Sequence, residues 1–190
     1  ADRMYAYVAG IQRLYARIER LPQVTLAEIS GAAMGGGLEL ALACDLRIAA
    51  AEAKLGLPEA RLGLIPGAGG TQRLTRICGP AIAARIILGA EILDGTAALA
   101  LGVVQWAVPL AELTQRAAEI VRGIVGLPAA ALAASKACIA VAARGDRGGY
   151  ADELEFTRML LNNAETRLRV DAFLAGSAES SMQTKKGAAR

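Results

Sequence analysis

At 190 residues the chain is long enough to bury a core of its own as one domain. Apolar residues make up 54% of it, yet charges break every long apolar segment before the roughly 18 uninterrupted positions of a membrane span, so no membrane partner is expected. The net charge of +3 is too small to argue for nucleic acid and suits an anionic small molecule equally well.

Taken in order, the chain opens on a helix. Tyr5, Val8, Ile11, Leu14, Tyr15, Ile18 and Leu21 recur at three- and four-residue steps and make one apolar stripe. Arg13, Arg17 and Arg20 fall on another face, read first as a solvated surface and alternatively as a contact for the phosphates of a nucleotide-bearing substrate or of RNA. Pro22 ends the helix, and 23–30 reads as a buried strand closed by Gly31. After Gly35-Gly36-Gly37, residues 38–44 are apolar helix formers; 45–51 returns as a strand and 54–57 as a short extended piece before Pro58. Residues 67–70 make a tight turn, and Thr71 caps a helix that stops at Gly79-Pro80. Further helices are expected over 81–89 and from Asp94-Gly95, with a strand over 103–108. From Ala111 the pattern is helical, with breaks at Leu127-Pro128, at 145–149 and at Asn162-Asn163. The small, polar and basic stretch 177–190 is expected to be a disordered tail.

The three cysteines, Cys44, Cys78 and Cys138, are widely spaced and form no CxxC pair, so each is expected as a buried thiol in a reducing compartment. The absence of histidine removes Ser-His-Asp and Cys-His catalysis and imidazole metal sites. Acid–base work near neutrality then falls to carboxylates, Lys, Tyr or Cys.

Chemistry concentrates in 29–73, where the glycine clusters at 35–37 and 67–70 bracket Glu39 and Glu59. A glycine-rich helix start exposes backbone N–H groups at the positive end of the helix dipole, and its lack of side chains allows close approach. Such a site suits a phosphate or an oxygen that gains negative charge during reaction. The phosphate reading is the weaker, because neither cluster is followed by the Lys-Ser/Thr pair of a P-loop. Glu39, in the first turn of that helix, can lie beside whatever the amides hold, and the strand that leaves and returns can bring Glu59 to the same place. Two such carboxylates can share a proton and divide into acid and base. The plainer reading makes Glu39 a dipole-complementing acid and Glu59 a surface turn acid.

At SGAAMGGGLELALACDLRIAA, at GLPEARLGLIPGAGGTQRL and at GPAIAARIILGAEILDGTAALALGVV the chain resembles the crotonase, or enoyl-CoA hydratase/isomerase, superfamily. The similarity extends from about Met4 to Phe173, and is greatest to short-chain enoyl-CoA hydratases and methylglutaconyl-CoA hydratases. It implies an α/β fold: part of the crotonase ββα spiral core over 1–110, holding the active-site segment 29–73, then a C-terminal helical trimerisation region over 111–176. The family's N-terminal half is not found in this stretch, and the second oxyanion donor that it supplies is assigned to no residue here.

The resemblance further implies that the Gly36 amide binds the thioester oxygen, with Gly35 and Gly67 lining the substrate site. Glu39 would help activate water for attack at C3, and Glu59 would protonate C2. No metal and no separate cofactor is expected, coenzyme A being part of the acyl-CoA thioester substrate. A homotrimer or homohexamer, in a bacterial cytoplasm or a mitochondrial matrix, is the expected setting. The uncharged Leu174-Ala175-Gly176-Ser177 departs from the basic residues that family members often carry there. Two alternatives stand beside the hydratase: an enoyl-CoA isomerase, and a non-catalytic oligomeric or RNA-binding scaffold. RNA is not the expected partner, because the helix offers three arginines without interleaved aromatics.

Overall fold

In the computed structural model of the chain, residues 2–146 and 148–187 are described, the stretch 176–187 by its backbone alone. The chain forms two compact units, Ala1–Gly126 and Leu127–Arg190.

The first unit begins with helix α1 (Asp2–Glu19), strand β1 (Leu26–Ile29), strand β2 (Ala32–Met34) and helix α2 (Gly36–Ala43). Strands β3 (Leu46–Ala50) and β4 (Lys54–Gly56) follow, then a 3-10 turn (Pro58–Leu62) and helix α3 (Gly70–Leu88). Strand β5 (Ile92–Asp94), helix α4 (Gly95–Ala100), strand β6 (Trp106–Val108) and helix α5 (Leu113–Val125) complete it. The strands make two three-stranded sheets. In the order β1-β3-β6 all pairs are parallel, with Leu26 opposite Leu46 and Ile48 opposite Trp106. In the order β2-β4-β5 the first pair is parallel and the second antiparallel.

Local chemistry explains this register. Thr25, just ahead of β1, and Asp45, just ahead of β3, grip one another: Asp45 Oδ2 accepts from the Thr25 amide at 2.7 Å and from its hydroxyl at 2.8 Å, while the Asp45 amide donates to Thr25 Oγ1 at 3.0 Å. The central strand β3 is buried from Arg47 to Ala50, as parallel strands covered on both faces are. Its one charge, Arg47, gives hydrogen bonds to the Val103 and Cys44 carbonyls, each at 2.8 Å. Burial pulls its pKa below the usual arginine value, and the carbonyls stand in for lost water. Leu38, Ile48, Leu55, Leu57, Leu74, Ile86, Val103, Val104 and Leu113 are the large side chains sealed in the core. Each such burial is worth about 1.5–3 kcal/mol, so α2 and α3, which carry Leu38 and Leu74, are held by the core rather than by their own helix propensity.

The structure departs from the sequence-based expectations in several places. Of the stretch expected as a strand over 23–30, residues 26–29 form β1; β2 follows after Gly31, was not expected, and joins the other sheet. At Gly79-Pro80, by contrast, the expected break is present: Gly79 takes the non-helical φ 81° and ψ 163° and separates two helical segments within Gly70–Leu88. The helical region expected from Ala111 begins with α5, but α5 buries Leu113 and Ala117 in the core of the first unit, and the division falls after Gly126. The cysteines are half-buried thiols in no disulfide rather than sealed ones.

The second unit contains α6 (Ala129–Ala143), α7 (Gly149–Leu161) and α8 (Ala164–Gly187), and the helix ends coincide with the expected breaks. Asn163 Oδ1 accepts from the Glu165 amide at 2.9 Å, an N-terminal cap for α8. The backbone is helical to Gly187, so most of the stretch expected as a disordered tail is helix; residues 188–190 lie outside the described residues. No single helix among the described residues is long and apolar enough to cross a membrane.

Candidate active site

The site is built where α2 and α3 begin. Gly35 takes φ 52° and ψ −123°, a conformation costly for any residue with a Cβ, and its N–H donates to the Gly56 carbonyl at 3.0 Å. A Cβ here would also stand 2.9 Å from Glu59 Oε1, so glycine is required both by the turn and by the carboxylate against it. Gly36 is the first helical residue, and its N–H has no intrahelical acceptor. One turn on, the Glu39 amide donates to the Gly35 carbonyl at 2.9 Å.

The Glu39 side chain is only 3% exposed, and its Oε1 accepts from the Gly70 amide at 2.8 Å. Gly70 is itself the first residue of α3, a helix with no side-chain cap of its own. One buried carboxylate on α2 therefore supplies negative charge at the N-terminus of α3. A Cβ on Gly70 would lie 2.8 Å from Pro66 Cβ and 3.0 Å from Glu39 Oε1. Burial, the largest influence, pushes the Glu39 pKa up, and the charge of Glu59 pushes it further the same way. The Gly70 and Ala68 amides and Arg73 pull it down without reversing the rise.

Glu59 reaches this place from the 3-10 turn, which Pro58 starts and Gly63 ends at φ 69°. Its Oε1 faces Gly35; its Oε2 is buried and meets no hydrogen-bond donor among the described residues. A buried oxygen without a donor is uncommon in a folded protein and marks a position where a polar guest is favoured.

Helix α1 grips both glycine turns from outside. Tyr15 donates its hydroxyl to the Gly36 carbonyl at 3.0 Å, and Gln12 Nε2 donates to the Gly67 carbonyl at 2.6 Å. Arg73, 6% exposed, gives one hydrogen bond to the Ala68 carbonyl and one to Glu19 Oε2, each at 2.8 Å. Burial first, and the nearby Glu39 charge second, raise the pKa of Tyr15.

Of the residues expected at the site, Glu39, Glu59, Gly35 and Gly36 are brought together. Gly67 joins them at one remove, with its carbonyl taken by Gln12 and Val8 packed against it. Arg13 and Arg17 are exposed on α1, and Arg20 is exposed in the turn just after it. Tyr15, Gln12, Arg73 and Glu19 were not expected here. Tyr15 read as one member of the apolar stripe, and partners 21 and 55 positions away leave no local signal for it or for Gln12.

Residues 3–174 match the family model described as enoyl-CoA hydratase/isomerase. The chain is 52% identical over 98 residues to a mitochondrial methylglutaconyl-CoA hydratase of Rattus norvegicus, a match covering 52% of this chain and 31% of the relative. It is 38% identical over 169 residues to the enoyl-CoA isomerase/hydratase fer4 of Mycosarcoma maydis, covering 88% of this chain and 62% of that protein. The chain thus spans between about a third and three fifths of the length of these relatives. Among solved structures, an enoyl-CoA hydratase from Bacillus anthracis superposes with a TM-score of 0.89 at 34% identity, over 93% of this chain and 69% of that one.

Proposed function

Because this chain belongs to the enoyl-CoA hydratase/isomerase family, we propose that it adds water reversibly across the 2,3 double bond of a 2-enoyl-CoA thioester. The observation that carries the reading is the meeting of two carboxylates at one open helix start: Glu39 buried with its pKa raised, Glu59 with a buried oxygen that no group among the described residues satisfies. The names of the relatives support it, and bring one competing reading.

In this account the thioester oxygen sits at the α2 N-terminus and takes a hydrogen bond from the Gly36 amide. A water lies between the two carboxylates. Glu39, made more basic by burial, takes a proton from that water as its oxygen bonds to C3. The C2–C3 electron pair moves toward the thioester, and the developing charge on the thioester oxygen is held by the amide and the helix dipole. The proton is then handed on through Glu59 to C2, so that both carboxylates end the step as they began it. Losing one such oxyanion donor costs about 10²–10³ in rate, so the open amide is as necessary as the acids.

Coenzyme A enters as part of the substrate, and the reaction needs no metal and no separate cofactor. The helices of the second unit leave Tyr150, Leu154, Leu168 and Phe173 at least 72% exposed. Such a surface supports assembly into a trimer, or a dimer of trimers. A bacterial cytoplasm or a mitochondrial matrix would supply the substrate.

The isomerase reading draws on the fer4 relative, whose name carries both activities. The same carboxylates could remove a proton from C2 of a 3-enoyl-CoA and return one to C4. Incubating the full-length protein with crotonyl-CoA and, separately, with 3-hexenoyl-CoA decides between them. Hydration removes the conjugated-thioester absorbance of the first; isomerisation creates that absorbance from the second. Turnover of crotonyl-CoA several-hundredfold above that of 3-hexenoyl-CoA is the expected result. The reverse preference would replace the hydratase reading by the isomerase one.

A further inference from the structure

The oxyanion donor of the proposed reaction lies in the most pliable backbone of the site. Three consecutive glycines carry no side chain to lock their torsions, and α2 begins without a side-chain cap. A donor that is to stabilise developing charge must be held still before the reaction begins. Two of its ties are backbone hydrogen bonds, from the Gly35 amide to the Gly56 carbonyl at 3.0 Å and from the Glu39 amide to the Gly35 carbonyl at 2.9 Å. A side chain ties it as well: the Tyr15 hydroxyl donates to the Gly36 carbonyl at 3.0 Å.

Tyr15 is well placed to act as a fixed post. It is 9% exposed and packs in a small cluster with Ala43 of α2 and Ala68 of the second glycine turn, flanked by Ile11 and Ile18. Its ring therefore touches both elements that the site joins. The helix that carries it is anchored on either side, by Gln12 on the Gly67 carbonyl and by Glu19 on Arg73. The hydroxyl hydrogen bond also falls on the peptide that links Gly36 to Gly37. It thus restrains ψ of Gly36, the torsion that would otherwise let the first turn of α2 swing.

We infer that Tyr15 is a positioning residue: its hydroxyl holds the first turn of α2 so that the Gly36 amide is presented to the thioester oxygen in a fixed direction. The inference rests on the hydratase reading for its catalytic consequence but not for its structural one, and the test separates the two. Tyr15→Phe keeps the ring and removes the hydroxyl. In the full-length protein it should lower kcat for crotonyl-CoA about tenfold with KM unchanged within about twofold, because the lost rigidity matters most where charge develops. Hydrogen–deuterium exchange gives the second readout. The Gly35 amide, bonded to the Gly56 carbonyl of β4, and the Glu39 amide, bonded to the Gly35 carbonyl, should exchange about tenfold faster in Tyr15→Phe, while exchange across β3 stays as in the wild type.

Gln12→Leu is the comparison, since it releases the Gly67 turn from the same face of α1 and should leave Gly35 and Glu39 exchange unchanged. Equal kcat, or equal Gly35 and Glu39 exchange, in wild type and Tyr15→Phe would overturn the inference. Faster exchange at those amides in Gln12→Leu as well would assign the effect to undocking of α1 and overturn it too. A wild-type protein without hydration would sink the hydratase reading instead, and the exchange data would still decide whether Tyr15 holds the turn.

Discussion

Two helix starts in the first unit are built in opposite ways. Helix α4 caps itself: the Asp94 side chain accepts from the Ala97 amide at 2.7 Å, so an otherwise open donor is satisfied within four residues of chain. Helix α2 begins at a positive-φ glycine with no side-chain cap, and its nearest carboxylate, Glu39, turns away to the Gly70 amide of α3. The first arrangement is closed and serves stability. The second leaves amides open beside two acids and gives up cap energy to do so. On the proposed reading the open start of α2, tied down by side chains distant in sequence, is the one that works on substrate.

The largest effect should come from Glu39→Gln. The amide side chain can still accept from Gly70, so folding is retained, but proton transfer is lost; kcat for crotonyl-CoA should fall by about 10²–10⁴, read from the absorbance assay. Such a loss with an unchanged melting temperature would set α2 apart from α4 as a functional rather than a structural start.

How far this contrast could be read from sequence depends on how local each signal is. Asp94-Gly95 announces its helix in adjacent residues, while the glycine clusters with Glu39 and Glu59 mark only a candidate open site, to which the family resemblance lent the specific roles. Strands β2 and β5 are three residues each, too short to show alternation, and were invisible. The grip of α1 was hidden for a different reason. Tyr15 sits at a core-facing position of the stripe, and only the folded chain shows that its hydroxyl passes the core to reach Gly36. Arg73 is buried although charged, because its charge is met by Glu19 and the Ala68 carbonyl, partners that lie outside its own helix turn.

Gly35→Ala tests the open start from the backbone side. The added Cβ meets both a positive φ and Glu59 Oε1 at 2.9 Å, so Glu59 must move. Urea denaturation should show a loss of about 1–3 kcal/mol, accompanied by a fall in kcat of about a hundredfold. Asp94→Ala is the matching change at the closed start. It should cost about 1 kcal/mol in the same denaturation experiment and leave kcat within twofold of the wild type. A large loss of activity there would erase the distinction between the two ends.

The smallest expected effect is in pH. The Glu39 pKa is raised above the ordinary glutamate value of 4.5, so the folded state binds this proton more tightly than the unfolded chain does. The associated stability is fully present below pH 4.5 and is lost as pH rises through the raised value. Glu39→Gln has no such proton to lose. Its melting temperature should therefore gain on that of the wild type as pH is raised from 4 to 7, by a few degrees at most. A difference that stays constant over this range would contradict the role given to burial.

The central claim is that Glu39 and Glu59 act as one unit on one water. The most direct test compares kcat for crotonyl-CoA hydration in Glu39→Gln, Glu59→Gln and the double variant of the full-length protein. Groups that serve a single step are strongly non-additive. The account predicts that each single change removes most of the activity and that the double variant is no more than a few-fold slower than the slower single. A double variant whose loss equals the product of the two single losses would mean that the carboxylates act independently, and would contradict the account.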